Sequence, residues 1–327
     1  MKRRFRKDAR LQTASGAQAE AKRLQERAAA TGTVEITNTA PTLAEFVEQT
    51  FTLYYLGRYR PGTQTRYRGL LQQGILTELG RLRLYDISLE VLQSYEAKLR
   101  DRGIGVSGHL SFSFVRVLLR AAVEQKKLTE LPSFPPLGKK PAKLPAAPSD
   151  EDVRLVLEHL RGWLAAVIGL AAFAGLRVSE ALALLVGDVN RRERKIYVRR
   201  ALSDGAVVPP KGDEERTVPY PQVLERWLVP MLEGKSPSDP VIVAGAGRTP
   251  RRQHVLDRLK KREQGIGMQS WSVHAYRHHY CSKLARSGAN MEAVRQLAGH
   301  SSVRITEGYV HAANDELAPL VDKAFGN

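Results

Sequence analysis

Residues 132–148 hold six prolines, Pro132, Pro135, Pro136, Pro141, Pro145 and Pro148, together with three lysines. Proline locks φ and lacks an N–H, so no helix can run through such a stretch. The chain is thereby split into two blocks, and each must close a core of its own. The stretch itself reads as an extended, semi-rigid linker. Its lysines would also let it lie along a phosphate backbone.

The block before the linker carries a helical pattern four times. Thr42 and Glu45 stand at capping-box spacing, and Leu43, Phe46, Val47 and Phe51 follow at helical intervals. A second helix is expected after Pro61-Gly62, with Thr63 as its cap and Tyr67, Leu70 and Leu71 inward. Ser88 caps a third, bearing Leu89, Leu92, Tyr95 and Leu99, and Gly103 ends it. A fourth runs from about Ser107 to Lys127, with Leu110, Phe114, Val117, Leu118 and Ala121 on one face. Residues 41–131 are thus predicted to be a four-helix domain with short loops. Residues 1–40 read as a basic arm or helical coupler, since the first 30 residues carry nine Lys/Arg against three Asp/Glu.

Beyond the linker, residues 149–327 mix helix and strand. Ser149 and Asp152 open a helix, and an apolar helix follows from Trp163 to Phe173. The apolar run from Trp163 to Leu176 is too short for a bilayer crossing and contains Gly169 and Gly175. Strands are expected over 195–201 and 216–220, with Ser203-Asp204-Gly205 as the turn between them. From Leu224 onward the pattern is again helical. The fold class expected is mainly α with a small β-hairpin or sheet.

Charge narrows the partner. The chain has 51 Lys+Arg against 34 Asp+Glu, a formal net charge of +17, and a pI near 10.1. At 43% hydrophobic and 26% charged residues the composition is that of a globular protein. A basic balance of this size points to nucleic acid first and an acidic membrane surface second. The basic N-terminus lacks an apolar stretch behind it and does not read as a secretory signal. Cys281 is the single cysteine, which excludes intramolecular disulfides and cysteine-cluster metal sites and suits a reducing cytoplasm.

Four short segments carry chemistry. Ala174-Gly175-Leu176-Arg177-Val178-Ser179-Glu180 ends one helix and presents an arginine as the next begins. That arginine could bind phosphate, or simply cap the helix and pair with Glu180. His274-Ala275-Tyr276-Arg277 places a histidine and an arginine three apart on one helix face, a proton carrier beside a phosphate ligand. His274 and His278 also stand at zinc-helix spacing, but the glutamate of that motif is missing and arginines flank the site. Leu297-Ala298-Gly299-His300 breaks a helix before a histidine, and Tyr309 lies nine residues on. Pro210-Lys211-Gly212 sets a lysine in a polar loop between strands.

In this order, the A-G-L-R-x-S-E segment, the lysine loop, the H-x-x-R segment and the G-H followed by tyrosine resemble the tyrosine recombinase, or phage integrase, family, over nearly the whole chain beyond residue 40. The resemblance implies a catalytic set of Arg177, Lys211, His274, Arg277, His300 and Tyr309, with Tyr309 as nucleophile and Lys195 as a rival for the lysine. It implies an N-terminal core-DNA-binding domain and a C-terminal α+β catalytic domain closing round duplex DNA as a C-shaped clamp. It further implies a 3′-phosphotyrosyl intermediate and Holliday junction, no cofactor and no metal. Four copies would work on two DNA sites, as monomers or dimers off DNA, at a cytoplasmic, nucleoid-associated location with no membrane. A tail helix with Leu317, Leu320, Val321 and Phe325 would dock on its own domain or a neighbour's. DNA contacts are expected from Arg60, Thr63, Arg66, Tyr67, Ser107, His109 and Ser111. A type IB topoisomerase and a non-catalytic DNA-binding regulator are the alternative functions.

Overall fold

The computed structural model of the chain describes residues 22, 23, 26, 40–102, 105–136, 146–212 and 214–299. They fall in two units, Met1–Lys139 and Lys140–Asn327. His300, Tyr309, the tail and most of the N-terminal arm lie outside the described residues.

In the first unit the helical pattern becomes four helices. The first, α1, passes without a break from Leu43–Phe46 through a π-helical turn, Val47–Phe51, into Thr52–Tyr54. Its capping box is made: Glu45 N donates to Thr42 Oγ1 at 3.2 Å and Thr42 N to Glu45 Oε2 at 2.7 Å. Helix α2, Pro61–Leu70, continues past a kink at Gly74 into Leu76–Leu79. Its cap is Arg60, not Thr63, because Pro61 takes the first helical position, where a missing N–H costs nothing. Helix α3 is Leu89–Asp101, and Val91 N donates to the Ser88 cap. Helix α4 is Gly105–Glu124. The core gathers Leu43, Phe46, Phe51, Leu92, Tyr95, Phe112, Phe114 and Leu118. Leu89 and Leu110, expected inward, are exposed.

Two of the expected DNA contacts pack against this core. The Tyr67 ring stacks on Phe114 with centroids 3.8 Å apart, and Ser111 is buried. An aromatic or a small hydroxyl at a helix start reads equally well as surface or as packing, and here packing takes both. Arg66 is exposed, while Thr63 and His109 are half-buried.

The second unit is built round α6, Gly162–Ala174, which is buried on nearly every side. A helix apolar all round can only be central. Helix α5, Asp150–His159, precedes it and opens on a capping box of Ser149 and Asp152. The short α7, Val178–Leu182, follows it. Then come β1 Val189–Asn190, β2 Lys195–Val198, β3 Ala201–Ser203, β4 Ala206–Val208 and β5 Arg216–Pro219. These make an antiparallel sheet in the order β1-β2-β5 and a separate hairpin β3-β4. The turn at Ser203-Asp204-Gly205 therefore joins β3 to β4 and does not directly join the 195–201 and 216–220 strands. Asp204 and Gly205 both have positive φ, which suits a two-residue hairpin turn. Ile196 still faces Val218 across β2 and β5. Helices α8 Glu225–Leu228, α9 Arg252–Gly265, α10 Val273–Arg286 and α11 Met291–Ala298 complete the described chain.

Helix α10 packs along α6. The buried His279 ties its far face to the end of the linker, with Nδ1 3.0 Å from the Pro148 carbonyl and Nε2 3.3 Å from Asp150. No helix among the described residues is long and apolar enough to cross a membrane.

Phe114 joins two rings of the first core, stacked on Tyr67 and edge-on to Phe51 at 5.7 Å. Phe114→Ala should destabilise that unit by about 3–5 kcal/mol. Denaturant unfolding followed by circular dichroism measures the loss, and a change below about 1 kcal/mol would show that the cluster repacks freely.

Candidate active site

Helix α6 ends at Gly175, which adopts a left-handed φ of +63. A Cβ there would meet the Tyr280 ring at 2.4 Å, so both conformation and space demand glycine. The reversal delivers Arg177 as the residue that opens α7. One turn on, Glu180 is only 2% exposed. Its carboxylate accepts from Arg177 N at 2.9 Å and Arg177 Nη1 at 2.7 Å. It also accepts from Arg216 Nη1 at 3.0 Å and Arg216 Nη2 at 2.7 Å. Burial pushes this carboxyl up, but Arg216 first and Arg177 second overcome it and hold it at about 2. The cap-and-pair reading of Arg177 is therefore real, and it leaves Nη2 to a further partner. Arg177 Nη2 reaches the Gly299 carbonyl at 2.6 Å.

Helix α10 supplies His274 and Arg277. Arg277 is 1% exposed and donates through Nη1 to the Gly175 carbonyl and through Nη2 to the Ala298 carbonyl. Its Nε is buried and finds no partner among the described residues. Burial and then the neighbouring Arg177 pull its pKa down to about 10, so it stays charged at neutral pH. His274 is pulled down to about 4 by burial, then by Arg277 and Arg177. It is neutral at pH 7 and able to accept a proton. The His278 ring lies edge-on to it, centroids 4.3 Å apart, and is also lowered to about 4 by burial and by His274. Among the described residues no third His, Cys, Asp or Glu joins the two histidines in a metal-holding group.

Lys211 sits in the turn between β4 and β5 and is exposed. A cleft of about 550 Å³ is lined by Lys211, Arg216, Arg295, Leu297 and Gly299 among others. The structure thus brings Arg177, Arg277 and His274 together and sets Lys211 on the cleft beside them. Lys195, the rival, is an exposed side chain paired with Glu193 at 2.7 Å. The two tyrosines of α10 are closed off. Tyr276 is fully buried and donates to Glu263 Oε1 at 2.6 Å, which with burial pushes its phenol pKa up. Burial pushes Tyr280 up to about 12.

Arg216 was not among the residues singled out from the sequence. A signal existed: it shares a strand face with the buried Val218, two positions on. An arginine on the core face of a strand needs a buried anion, and Glu180 is that anion.

Free histidines take up a proton near pH 6.5, whereas His274 and His278 do so only near 4 in the folded chain. Between those values the unfolded chain binds more protons, so stability falls as pH drops from about 6.5 to about 4 and is fully present above. The melting temperature should fall across that window, and a His274→Asn/His278→Asn double variant should show a shallower fall. Equal slopes for the two proteins would refute this assignment.

The phage integrase family matches residues 149–316 of the chain. The tyrosine recombinase XerD of Pseudomonas aeruginosa is 30% identical over 270 residues, covering 77% of this chain and 83% of its own length. XerD of Vibrio vulnificus is 28% identical over 262 residues, covering 74% and 82%. Among solved structures, the Tn1549 transposon integrase in complex with transposon right end DNA superposes with a TM-score of 0.71. The two are 16% identical, and the match covers 86% of this chain and 99% of that one. A lambda integrase tetramer bound to a Holliday junction gives 0.66 at 14% identity, covering 91% and 87%. At such identities the structures speak for the fold, and the family match and the XerD relatives speak for descent: the chain belongs to the phage integrase family of tyrosine recombinases.

Proposed function

We propose that the chain is a site-specific DNA recombinase that cuts and rejoins duplex DNA through a 3′-phosphotyrosyl intermediate and a Holliday junction. The observation that carries this reading is the meeting of Arg177, Arg277 and a neutral His274 at one place in a chain of this family. Arg177 and Arg216 share the one carboxylate of Glu180 and Arg277 is met by backbone carbonyls, so the site keeps a positive excess that suits a phosphodiester.

The roles follow from the residue types. Tyr309 Oη attacks phosphorus and forms the new P–O bond, and the P–O5′ bond breaks. Neutral His274 assists removal of the tyrosine proton, and Lys211 protonates the departing 5′-oxygen. Arg177 and Arg277 hold the non-bridging oxygens while charge develops on them, with His300 as a further donor. Religation is the reverse, and the phosphotyrosyl bond conserves the energy it needs, so no ATP enters. Burial of Tyr276 and Tyr280 supports Tyr309 as the nucleophile. Arg60, Thr63, Arg66, Ser107 and His109 of the first unit are the proposed DNA contacts. Tetramer formation on two sites has its precedent in the lambda integrase assembly. A DNA substrate implies a cytoplasmic, nucleoid-associated location.

The target sequence comes from the protein itself. The chain is incubated with a random pool of nicked duplexes, and detergent-resistant protein–DNA adducts are isolated and sequenced. Wild type should enrich one site, and Tyr309→Phe should bind that site and give no adduct. An adduct with the Phe variant would remove Tyr309 from its role. Two copies of the site should then yield a Holliday junction. Cleavage without junctions would favour a topoisomerase, and binding without cleavage a regulator.

Lys211→Ala should slow cleavage by roughly 10²–10⁴. A substrate with a 5′-bridging sulfur has a leaving group that needs no proton, and the variant should cut it at nearly the wild-type rate. Rescue of Lys195→Ala in place of Lys211→Ala would reassign the general acid.

A further inference from the structure

Arg216 stands at the start of β5, in the strand that leads away from the Lys211 turn. Its side chain keeps 10% of its surface, and all three guanidinium nitrogens are engaged. Nη1 and Nη2 grip the two oxygens of Glu180 at 3.0 and 2.7 Å, and Nε donates to the Leu297 carbonyl at 3.1 Å. The backbone at the end of α11 lies directly across it, since a Cβ on Gly299 would stand 3.0 Å from Arg216 Nη1.

Two consequences meet here. A buried carboxylate held by Arg177 alone would face the desolvation penalty with one partner, and the two-point pairing with Arg216 supplies the second. Glu180 then stays charged and fixed, and its Oε1 fixes Arg177 Nη1. On the other side, Leu297, Ala298 and Gly299 present three successive carbonyls that a helix end leaves without partners of its own. They are taken by Arg216, Arg277 and Arg177 in turn. Arg216 is the arginine of the three whose charge is matched two-to-two by a carboxylate, which disfavours it as a phosphate ligand and suits it to hold the others.

We propose that Arg216 is a positioning residue for strand cleavage: by pinning Glu180 and the Leu297 carbonyl it aims Arg177 at the phosphate and seats the α11 end on the arginine pair. The proposal rests on the recombinase reading above. It assigns Arg216 an effect on the chemistry of the phosphate that exceeds its effect on folding.

The test uses the full chain and the nicked duplex selected from the random pool, with the scissile linkage either a phosphodiester or a methylphosphonate. The methylphosphonate lacks one charged oxygen, so less negative charge develops on it and a misaimed arginine matters less. Arg216→Gln should slow single-turnover adduct formation on the phosphodiester roughly 10²-fold, the scale of a misplaced catalytic group. On the methylphosphonate the loss should shrink by at least about tenfold, and Arg177→Ala should show the same asymmetry. Arg216→Lys keeps a charge opposite Glu180 but cannot bridge both oxygens and the Leu297 carbonyl. It should show the same pattern in milder form, and it replaces Arg216→Gln should that variant not fold. An equal loss on both linkages makes Arg216 a fold residue and overturns the proposal, as does wild-type speed on the phosphodiester. Failure of the wild type itself to form an adduct would instead overturn the recombinase reading, and this proposal with it.

Discussion

Glu180 is one carboxylate among three guanidiniums, and the site depends on its being charged where water cannot reach it. Bringing an ion out of water costs several kcal/mol even after relaxation. The cost is met because every contact is a charge-assisted or backbone hydrogen bond, two from Arg177 and two from Arg216. Removal of one partner from such a buried group typically costs about 3–5 kcal/mol. The same arrangement leaves the site with more positive than negative charge. A fold that buried the arginines with matching carboxylates would be quieter electrostatically and would have nothing left for a phosphate.

The end of α11 shows how that excess is held in check. Guanidiniums facing one another repel, and Arg177 lowers the proton affinity of Arg277. Backbone carbonyls at a helix C-terminus carry the negative end of the helix dipole, and Ala298 and Gly299 place two of them against the pair. Gly299 makes this possible through its left-handed φ of +64, which turns the chain so that the carbonyls point back. Carbonyls are neutral acceptors, weaker than phosphate oxygens, so the arrangement orders the arginines without neutralising them.

Much of this was legible in the sequence, and the limits have physical causes. The capping boxes at Thr42 and Ser149 and the all-round apolar α6 are local patterns, and local patterns fold locally. The two units follow from the prolines. Arg177, His274 and Arg277 could be singled out because motif spacing records them. Arg216 could not, because its partner lies 36 positions away across the fold and nothing adjacent to it marks the bond. The β3-β4 hairpin escapes the sequence for a related reason: a strong turn signal at Ser203-Asp204-Gly205 says that two strands meet, not which two. Ser111 reads as surface because a small hydroxyl near a helix start is usually solvated, and Tyr67 reads both as inward and as a DNA contact because the aromatic cluster of Phe51, Phe114 and Tyr67 forms only in three dimensions.

The histidines and tyrosines of α10 complete the division of labour. One helix carries His274, Tyr276, Arg277, His278, His279 and Tyr280, and the fold gives each a different fate. Tyr276 is locked to the buried Glu263, whose carboxyl burial pushes up, and Trp271 N also holds that carboxylate at 3.0 Å. His279 is tied to the linker end, and Tyr280 packs its ring against the Gly175 reversal. His274, Arg277 and Cys281 recur at every third or fourth position, and their titrations feel the charge of the site, as do those of His278 and Tyr280. Helical periodicity thus sets the groups that anchor α10 beside those that line the arginine cluster. It also leaves Tyr276 and Tyr280 buried, with phenols that burial makes hard to ionise.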